Sequence, residues 1–494
     1  MSFTYANILP AGRASKLATG LFVLAALSGT SLGTARMAMA QTSLNPSVRV
    51  ATPLPPAGVP INPVSSVPPL PTPEALFPGI FGVGSYLRDH GIAVLLDNVD
   101  EFSGIVKGDH KGSTNAGQYG LETDIDWERL AGLTGFSTHT VMVGRYGIPA
   151  SRIFGDNLNP SQEIYGAGGN VAIHLVYAYG EETLANGRVD VIAGRIPVLN
   201  DFASNPLFCN FMNNAFCGNP KASSDNFAVS SYPDANWAFR VRVRPTRTTY
   251  IQSGIYFTEQ NIYQAGNGYR SGFRFDSSQI SGQTFPVQVG WEPSFGPDQL
   301  PGHYALGFIY DSNNHNDNYI DANGAPFVES GLPPKVRKGQ TAEYAMADQM
   351  ILRHGPGTTN GLIAFGALYH NDNNTSTRTS QASIALVDHG FWKARPQDGI
   401  VAGFSYMEVS DKVGKTEALQ QELGLPITGT GGQFYNAAAR GVQSHTYNFE
   451  LGYQIHVYRG VTFAPDFQYF IRPNALANVG NAAVIGFKSH IELF

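Results

Sequence analysis

Charge is scarce in this 494-residue sequence: Asp, Glu, Lys and Arg together make up 14%. Long apolar runs are missing too. No stretch approaches the roughly 18 apolar residues a membrane-crossing helix needs, which excludes a helical bundle. There are two cysteines, far too few for a disulfide-built scaffold. His-Glu-x-x-His and the Walker loop are absent, the Gly-x-Ser-x-Gly match at Gly29 to Gly33 falls inside the leader segment 1–40, and the twelve histidines are scattered. The sequence therefore points to no enzyme of those chemistries, no cofactor and no metal centre. Asp311 to Gly324 has the flavour of a calcium loop but lacks its spaced acids and closing Glu. It reads as a solvated loop.

What the chain does have is 55 glycines, 12% aromatics and many Asn, Gln, Ser and Thr. That mixture suits a membrane β-barrel, in which apolar and polar positions alternate along each strand. Residues 1–40 read as a secretory signal peptide. Arg13 and Lys16 precede the short apolar run Leu17 to Leu27, and Ala38-Met39-Ala40 offers a cleavage site before Gln41. Loss of Arg13, Lys16 and Arg36 would leave a net charge of about −9, which argues against nucleic acid as a partner. Residues 41–78 hold eleven prolines and read as an extended periplasmic arm. Residues 79–494 form the barrel domain, opening with a short helical turn over 79–90.

Alternation is clearest from Tyr447 to Val457. Tyr447, Phe449, Leu451, Tyr453, Ile455 and Val457 share a lipid-facing side, opposite Asn448, Glu450, Gly452, Gln454 and His456. Tyr458-Arg459-Gly460 turns the chain into a second long strand, where Pro465 predicts a bulge or strand end. Comparable segments put Tyr177 and Tyr179 outward with Val171, Ile173 and Leu175. In another, Tyr304, Leu306, Phe308 and Tyr310 face out. Further strands fall near 138–147, 188–196, 249–258, 284–292, 342–352, 361–370, 380–388 and 399–408. The total is about sixteen to eighteen; single-chain bacterial barrels have even numbers, and sixteen is the porin size. Long polar loops are expected at 198–235, 311–341, 370–380 and 409–443, with a helical turn from Thr416 to Leu423 capped by Thr416. Loop 198–235 is the candidate for folding inward.

Parity also places charge. Arg240, Arg242 and Arg244 share one face, and an arginine facing lipid near the midplane costs about 2–4 kcal/mol, so all three should face a water-filled lumen. Glu122, Asp124, Asp126 and Glu128 form a matching acidic ladder. Opposed arginines and acids would set a transverse field that favours polar neutral solutes. Trp127 falls on the lipid-facing parity and reads as an interface residue. Cys209 and Cys217, with seven residues between them, favour a disulfide in an exported chain; two thiols or metal ligands are the alternatives. The terminal Phe494 fits recognition by the barrel-assembly machinery. It falls out of phase with Ile485, Phe487, Ile491 and Leu493, so it should leave the strand pleat.

Several segments resemble the carbohydrate-selective porins of the OprB type. They are Tyr86 to Ile92, Gly120 to Leu133, Gly194 to Ala203 with its Gly-Arg and Asp-Phe pairs, Arg395 to Gly399, and Pro465 to Pro473 with a Pro-Asp-x-Gln-Tyr signature. The likeness runs over residues 80–494. It implies a sixteen-stranded antiparallel barrel in the outer membrane, passive diffusion of small glucose-like sugars, and a constriction lined by arginines and acids. Pore-lining candidates are then Arg240, Arg242, Arg244, Glu122, Asp124, Asp126 and Arg195. A general porin without sugar preference, or a structural barrel tethered to the cell wall through the proline-rich arm, are the other readings. Monomer and homo-oligomer both stay open.

Overall fold

In the computed structural model the described residues are 70, 74–77, 79, 82–164, 170–217, 221–224, 226, 232–259, 272–273, 275–278, 280–427 and 441–494. Residues 1–40, and most of 41–78, lie outside them. So the signal peptide and nearly all of the arm are not part of the structural account.

Sixteen long antiparallel strands close on themselves. In chain order they are β1 (Ile92–Lys107), β2 (Ser113–Asp126), β3 (Phe136–Gly147), β4 (Val171–Leu184), β5 (Val189–Ile196), β6 (Asn236–Val243), β7 (Thr249–Glu259) and β8 (Ile280–Trp291). Then come β9 (Leu300–Asp321), β10 (Pro334–Arg353), β11 (Gly361–Asn371), β12 (Arg378–His389), β13 (Gly399–Val409), β14 (His445–Tyr458), β15 (Val461–Ile471) and β16 (Ala482–Glu492). Each strand pairs with its sequence neighbour. The ring is sealed by β1 against β16, from Asp97 opposite Glu492 to Gly104 opposite Ile485. Closure leaves no unpaired sheet edge, which the hydrocarbon interior requires. A two-residue pair, Ser294–Phe295, belongs to the turn before β9.

Alternation decides which side chains meet lipid. On β9, Leu306, Phe308 and Tyr310 are exposed while Ile309 and Asp311, on the other parity, are buried. On β14, Phe449 and Leu451 face out and Asn448 and Glu450 face in. Helix α1 (Val83–Asp89) leads into β1, and α2 (Trp127–Ala131) forms the turn after β2.

Several expectations need correction. Tyr177 and Tyr179 are buried inside the barrel, not outside. The β3–β4 register shifts so that Tyr177 faces Val141 while Leu175 faces Met142. The extra residue, Val176, flips the pleat. Residues 311–341 are mostly strand: β9 and β10 run far beyond the membrane, since 22 residues at about 3.4 Å each greatly exceed a ~30 Å hydrocarbon core. The helix in the β13–β14 loop is α3 (Asp411–Glu422), longer than expected and capped by Ser410, whose Oγ accepts from Lys412 N. Thr416 lies inside it and donates to Asn318 O at 2.5 Å. Pro465 neither ends nor bulges β15; it stays in register opposite Phe487, and the β14 ladder is interrupted beside it, resuming at Ile455 opposite Phe463.

Phe494 leaves the pleat. Strand β16 stops at Glu492, and the backbone of Phe494 instead exchanges hydrogen bonds with Leu96 on β1. The foot of the arm docks at the same end. Leu76 N donates to Glu492 O at 2.7 Å and Phe77 N to Leu493 O at 3.0 Å. Glu74 meets His456 at 3.0 Å.

Candidate functional site, the constricted lumen

The connection between β5 and β6 folds into the barrel and crosses it. Its entry residue Asp201 is held by Gln252, which donates to its backbone O at 2.6 Å, and by Tyr256, whose hydroxyl donates to its carboxylate at 3.1 Å. Further along, Ala203 N donates to Gln288 on β8, and Asn205 to Asp348 on β10 at 2.8 Å. The far tip reaches the opposite wall. Met212 N and Asn213 N both donate to the Glu450 carboxylate on β14, at 2.5 and 3.0 Å, and Asn213 Nδ2 donates to Gln468 on β15 at 2.9 Å. The return limb is tied to β12, where Gln381 accepts from Ala222 N and donates to Ala215 O. Six strands thus fasten one loop by side chains that face inward.

Apolar packing explains why part of the inner wall is not polar. Phe202, Phe208, Phe211 and Phe216 are all at most 1% exposed. They pack against Tyr256, Tyr344, Phe365, Tyr369, Val387 and Val401, the inward residues of β7 and β10–β13. Phe208 meets Phe365 edge-on at 5.1 Å, a favoured aromatic geometry. Phe211 stacks on Phe216 at 4.6 Å. The sequence signal for this was the Phe- and Asn-rich character of the loop; the receiving wall could not be recognised without register.

A second connection, between β3 and β4, also turns inward. Ile164 N donates to Glu101 on β1, and Glu163 N donates to Met212 O, joining the two inward loops. Asp156 sits buried at its base, its carboxylate accepting from Leu158 N and Asn159 N at 2.8 and 3.0 Å. Burial raises that carboxyl to about 6, against an ordinary 3.8.

The opposite inner wall, from β16 round to β6, carries the charge. Arg240, Arg242 and Arg244 all face inward and are buried. None stands as an isolated guanidinium. Arg240 pairs with Asp190 and reaches Asp201 at 3.5 Å. Arg242 lies 4.0 Å from Asp201, donates to Gln252 at 2.7 Å and covers the Tyr250 ring. Arg244 pairs with Glu292 at 2.8 Å. Through Asp201, two of these arginines grip the root of the constricting loop.

The acids of β2 are inward and equally engaged. Asp124 contacts His139 at 2.5 Å, and the other side of that ring meets Glu181 at 3.3 Å. Asp126 caps α2, accepting from Arg129 N at 3.0 Å. Glu122 is buried next along the same face. Glu128 leaves the ladder and bonds Gly135 N in the turn. Trp127 sits outside, its Nε1 donating to Thr138 at 2.9 Å.

Arg195 does not join the lumen set. Its register partners are Ala178 and Trp237, both on the outward parity. Its guanidinium bonds Glu259 at 2.8 Å and Ala235 O at 2.7 Å, over the Trp237 ring. The family resemblance makes Arg195 a pore-lining candidate; the parity of β4 beyond its bulge carries through to β5 and turns Arg195 outward.

Sequence reading missed a further lumen cluster on strands β1, β3 and β16. Lys488 Nζ lies 3.4 Å from Glu101 and 3.8 Å from Glu163, and donates to Phe211 O at 3.3 Å. Arg145 reaches Glu163 at 3.7 Å and donates to Gln118 at 2.9 Å. His490 meets Asp97 at 3.0 Å. Cys209 and Cys217 lie on the constricting loop as two thiols hydrogen-bonded to each other. Burial, then that contact, pushes the Cys217 thiol up.

The chain is similar to known proteins. The chain is 29% identical to Porin B of Pseudomonas aeruginosa over 417 residues, covering 82% of this chain and 88% of that one. It is 25% identical to the putative porin QuiX of Acinetobacter baylyi, over 76% and 83% of the two chains. The high-pH structure of Pseudomonas putida OprB superimposes with a TM-score of 0.77 at 27% identity, covering 85% of this chain and 98% of that one. The profile of the carbohydrate-selective porins, OprB family, matches residues 110–493. With a closed sixteen-stranded barrel narrowed by an inward loop, the chain belongs to the carbohydrate-selective porin family of the OprB type.

Proposed function

We propose that this porin passes small neutral sugars of glucose size across the outer membrane by passive diffusion, selected at the loop-narrowed lumen. The observation that carries the reading is the pairing of lumen charges. Arg240, Arg242 and Arg244 lie beside Asp190, Asp201 and Glu292, and Lys488 beside Glu101 and Glu163. Compensated charges offer dipoles and hydrogen-bond donors without a strong net field of one sign. Hydroxyl-rich neutral solutes can exchange their water for such groups, while ions gain less. Liposome swelling with sugars, amino acids and organic acids of matched size tests this directly. Glucose-sized sugars should enter fastest and should reduce single-channel conductance. Equal rates for all classes would leave a general porin.

Maturation belongs to the same proposal. Removal of residues 1–40 would leave Gln41 as the first residue, which N-terminal sequencing of the outer-membrane protein reads. The strand ending at Glu492 and the terminal Phe494 would present the chain to the barrel-assembly machinery. The carbohydrate flux needs no cofactor and no catalytic residue.

A further inference from the structure

We propose that Cys209 and Cys217 are oxidised to a cystine that staples the tip of the constricting loop. Cys209 and Cys217 flank Phe211 and Phe216, whose rings stack 4.6 Å apart, so the two ends of the segment are already drawn together. Between them lie Met212 and Asn213, whose N–H groups hold the Glu450 carboxylate on the far wall. A bond between the two sulfurs therefore closes a ring around the one segment that bridges the lumen. Local geometry is already folded for it: Cys217 N donates to Asn213 O at 3.0 Å, and Asn214 Nδ2 donates to Cys217 O at 2.6 Å.

The surroundings supply chemistry as well as proximity. Cys209 is partly exposed while Cys217 is buried. Lys488 Nζ stands 4.0 Å from Cys217 Sγ. Its ammonium works against the burial that holds Cys217 as a thiol, toward the thiolate that attacks a disulfide. The oxidant is a protein disulfide of the exported compartment. The Cys209 thiolate attacks it, forming a mixed disulfide and releasing one thiol of the oxidant. The Cys217 thiolate then attacks the Cys209 sulfur, forming the Cys209–Cys217 bond and releasing the second thiol. Two S–H bonds break, their two protons end on the oxidant's two released thiols, and the two electrons reduce its disulfide.

The staple removes a freedom the hydrogen bonds leave. With the thiols reduced, the tip is held by hydrogen bonds to Glu450, Gln468, Gln454, Lys488 and the β3–β4 connection and by aromatic packing. With the ring closed, residues 209–217 move as one unit, and the constriction keeps a single aperture.

Two readouts test this on the full-length protein extracted from outer membranes. Denaturation in the presence of a maleimide-polyethylene glycol, without prior reduction, should give no mass addition; prior treatment with a phosphine reductant should give two. Two additions without reduction would overturn the cystine outright, whatever the pore conducts. In planar bilayers, the phosphine should raise open-channel current noise in the wild type. It should leave the C209S/C217S variant unchanged at that higher level. Noise in the wild type that ignores reduction would overturn the staple. Should the variant fail to insert, wild type before and after reduction gives the same comparison.

Discussion

Gly403 on β13 leaves the space that Phe216 of the constricting loop fills. A Cβ built at Gly403 would stand 2.8 Å from the Phe216 ring and 2.9 Å from that of Phe211. This glycine is what lets the stacked pair lie flat against the wall. Gly403→Val should push the two rings off their seat, at an overpacking cost of about 1–3 kcal/mol. The barrel should still close, because the β13 ladder to β12 and β14 does not depend on that side chain. The expected result is a native-like heat-modifiable band with altered single-channel conductance. An unchanged conductance would show that this part of the loop does not set the aperture.

Asp201 is shared by two guanidiniums at the root of the same loop, Arg240 being paired with Asp190 as well. Asp201→Asn keeps the shape and removes one negative charge. Arg240 and Arg242 would then be under-compensated, and the lumen should shift toward anions. Reversal potentials in a salt gradient read the direction. Arg240→Gln should shift them the other way, toward cations, by stranding Asp190. Breaking one side of a buried pair costs about 3–5 kcal/mol, so both variants should also unfold at lower urea than the wild type. Two shifts of the same sign would contradict the pairing.

How much of this was legible in the sequence follows from how local each signal is. Alternation from Tyr447 to Val457 is a local property, and the strand appears where it is expected, with Glu450 inward. The inward parity of Arg240, Arg242 and Arg244 came the same way, from the cost of charge in lipid. The flip of Tyr177 and Tyr179 was not visible, because a single bulge at Val176 reverses parity without changing composition. Arg195 was a lumen candidate through the family resemblance, which carries no register, and its pairing with Ala178 and Trp237 puts it on the outer side. Lys488, Glu101 and Glu163 were hidden for another reason: they come from opposite ends of the chain and meet only when β1 closes on β16. The loop 198–235 could be singled out by length and aromatics, but its seat on β10–β13 required the register.

Asp156 makes stability depend on pH in a direction that can be stated in advance. Its carboxyl titrates near 6 in the fold and near 3.8 when unfolded, so the folded protein holds this proton more tightly. The cost of the buried ionised form is fully present above about pH 6. It declines as pH falls and is gone below the unfolded value. Asp156→Asn keeps an oxygen for the Leu158 and Asn159 N–H groups and abolishes the titration. The wild type should therefore gain on the variant between pH 7 and pH 4, by on the order of 3 kcal/mol. Urea unfolding of both proteins in detergent across that range gives the difference. A difference independent of pH would mean that Asp156 is hydrated in the folded protein.

The terminal Phe494 is joined to the start of the barrel in two ways, and they can be separated. Its backbone is tied to Leu96, with Leu493 N donating to the Leu96 oxygen at 2.7 Å. Its ring rests on α1, where a Cβ at Gly84 would stand 2.8 Å from the ring and also 2.8 Å from the Gly79 Cα. A side chain at Gly84 must therefore displace the ring, the turn at Gly79, or both. Gly84→Val should lower the folded fraction in detergent refolding by loosening the last contacts that draw β16 onto β1. Phe494→Ala should cost less, because the backbone ties survive without the ring. Combining the two should recover part of the Gly84→Val loss, since the ring clash is gone, but not all of it, since the Gly79 backbone clash remains. That partial recovery is non-additivity of the kind contacting residues show. Strictly additive losses would place the ring away from α1 and leave closure to the backbone alone.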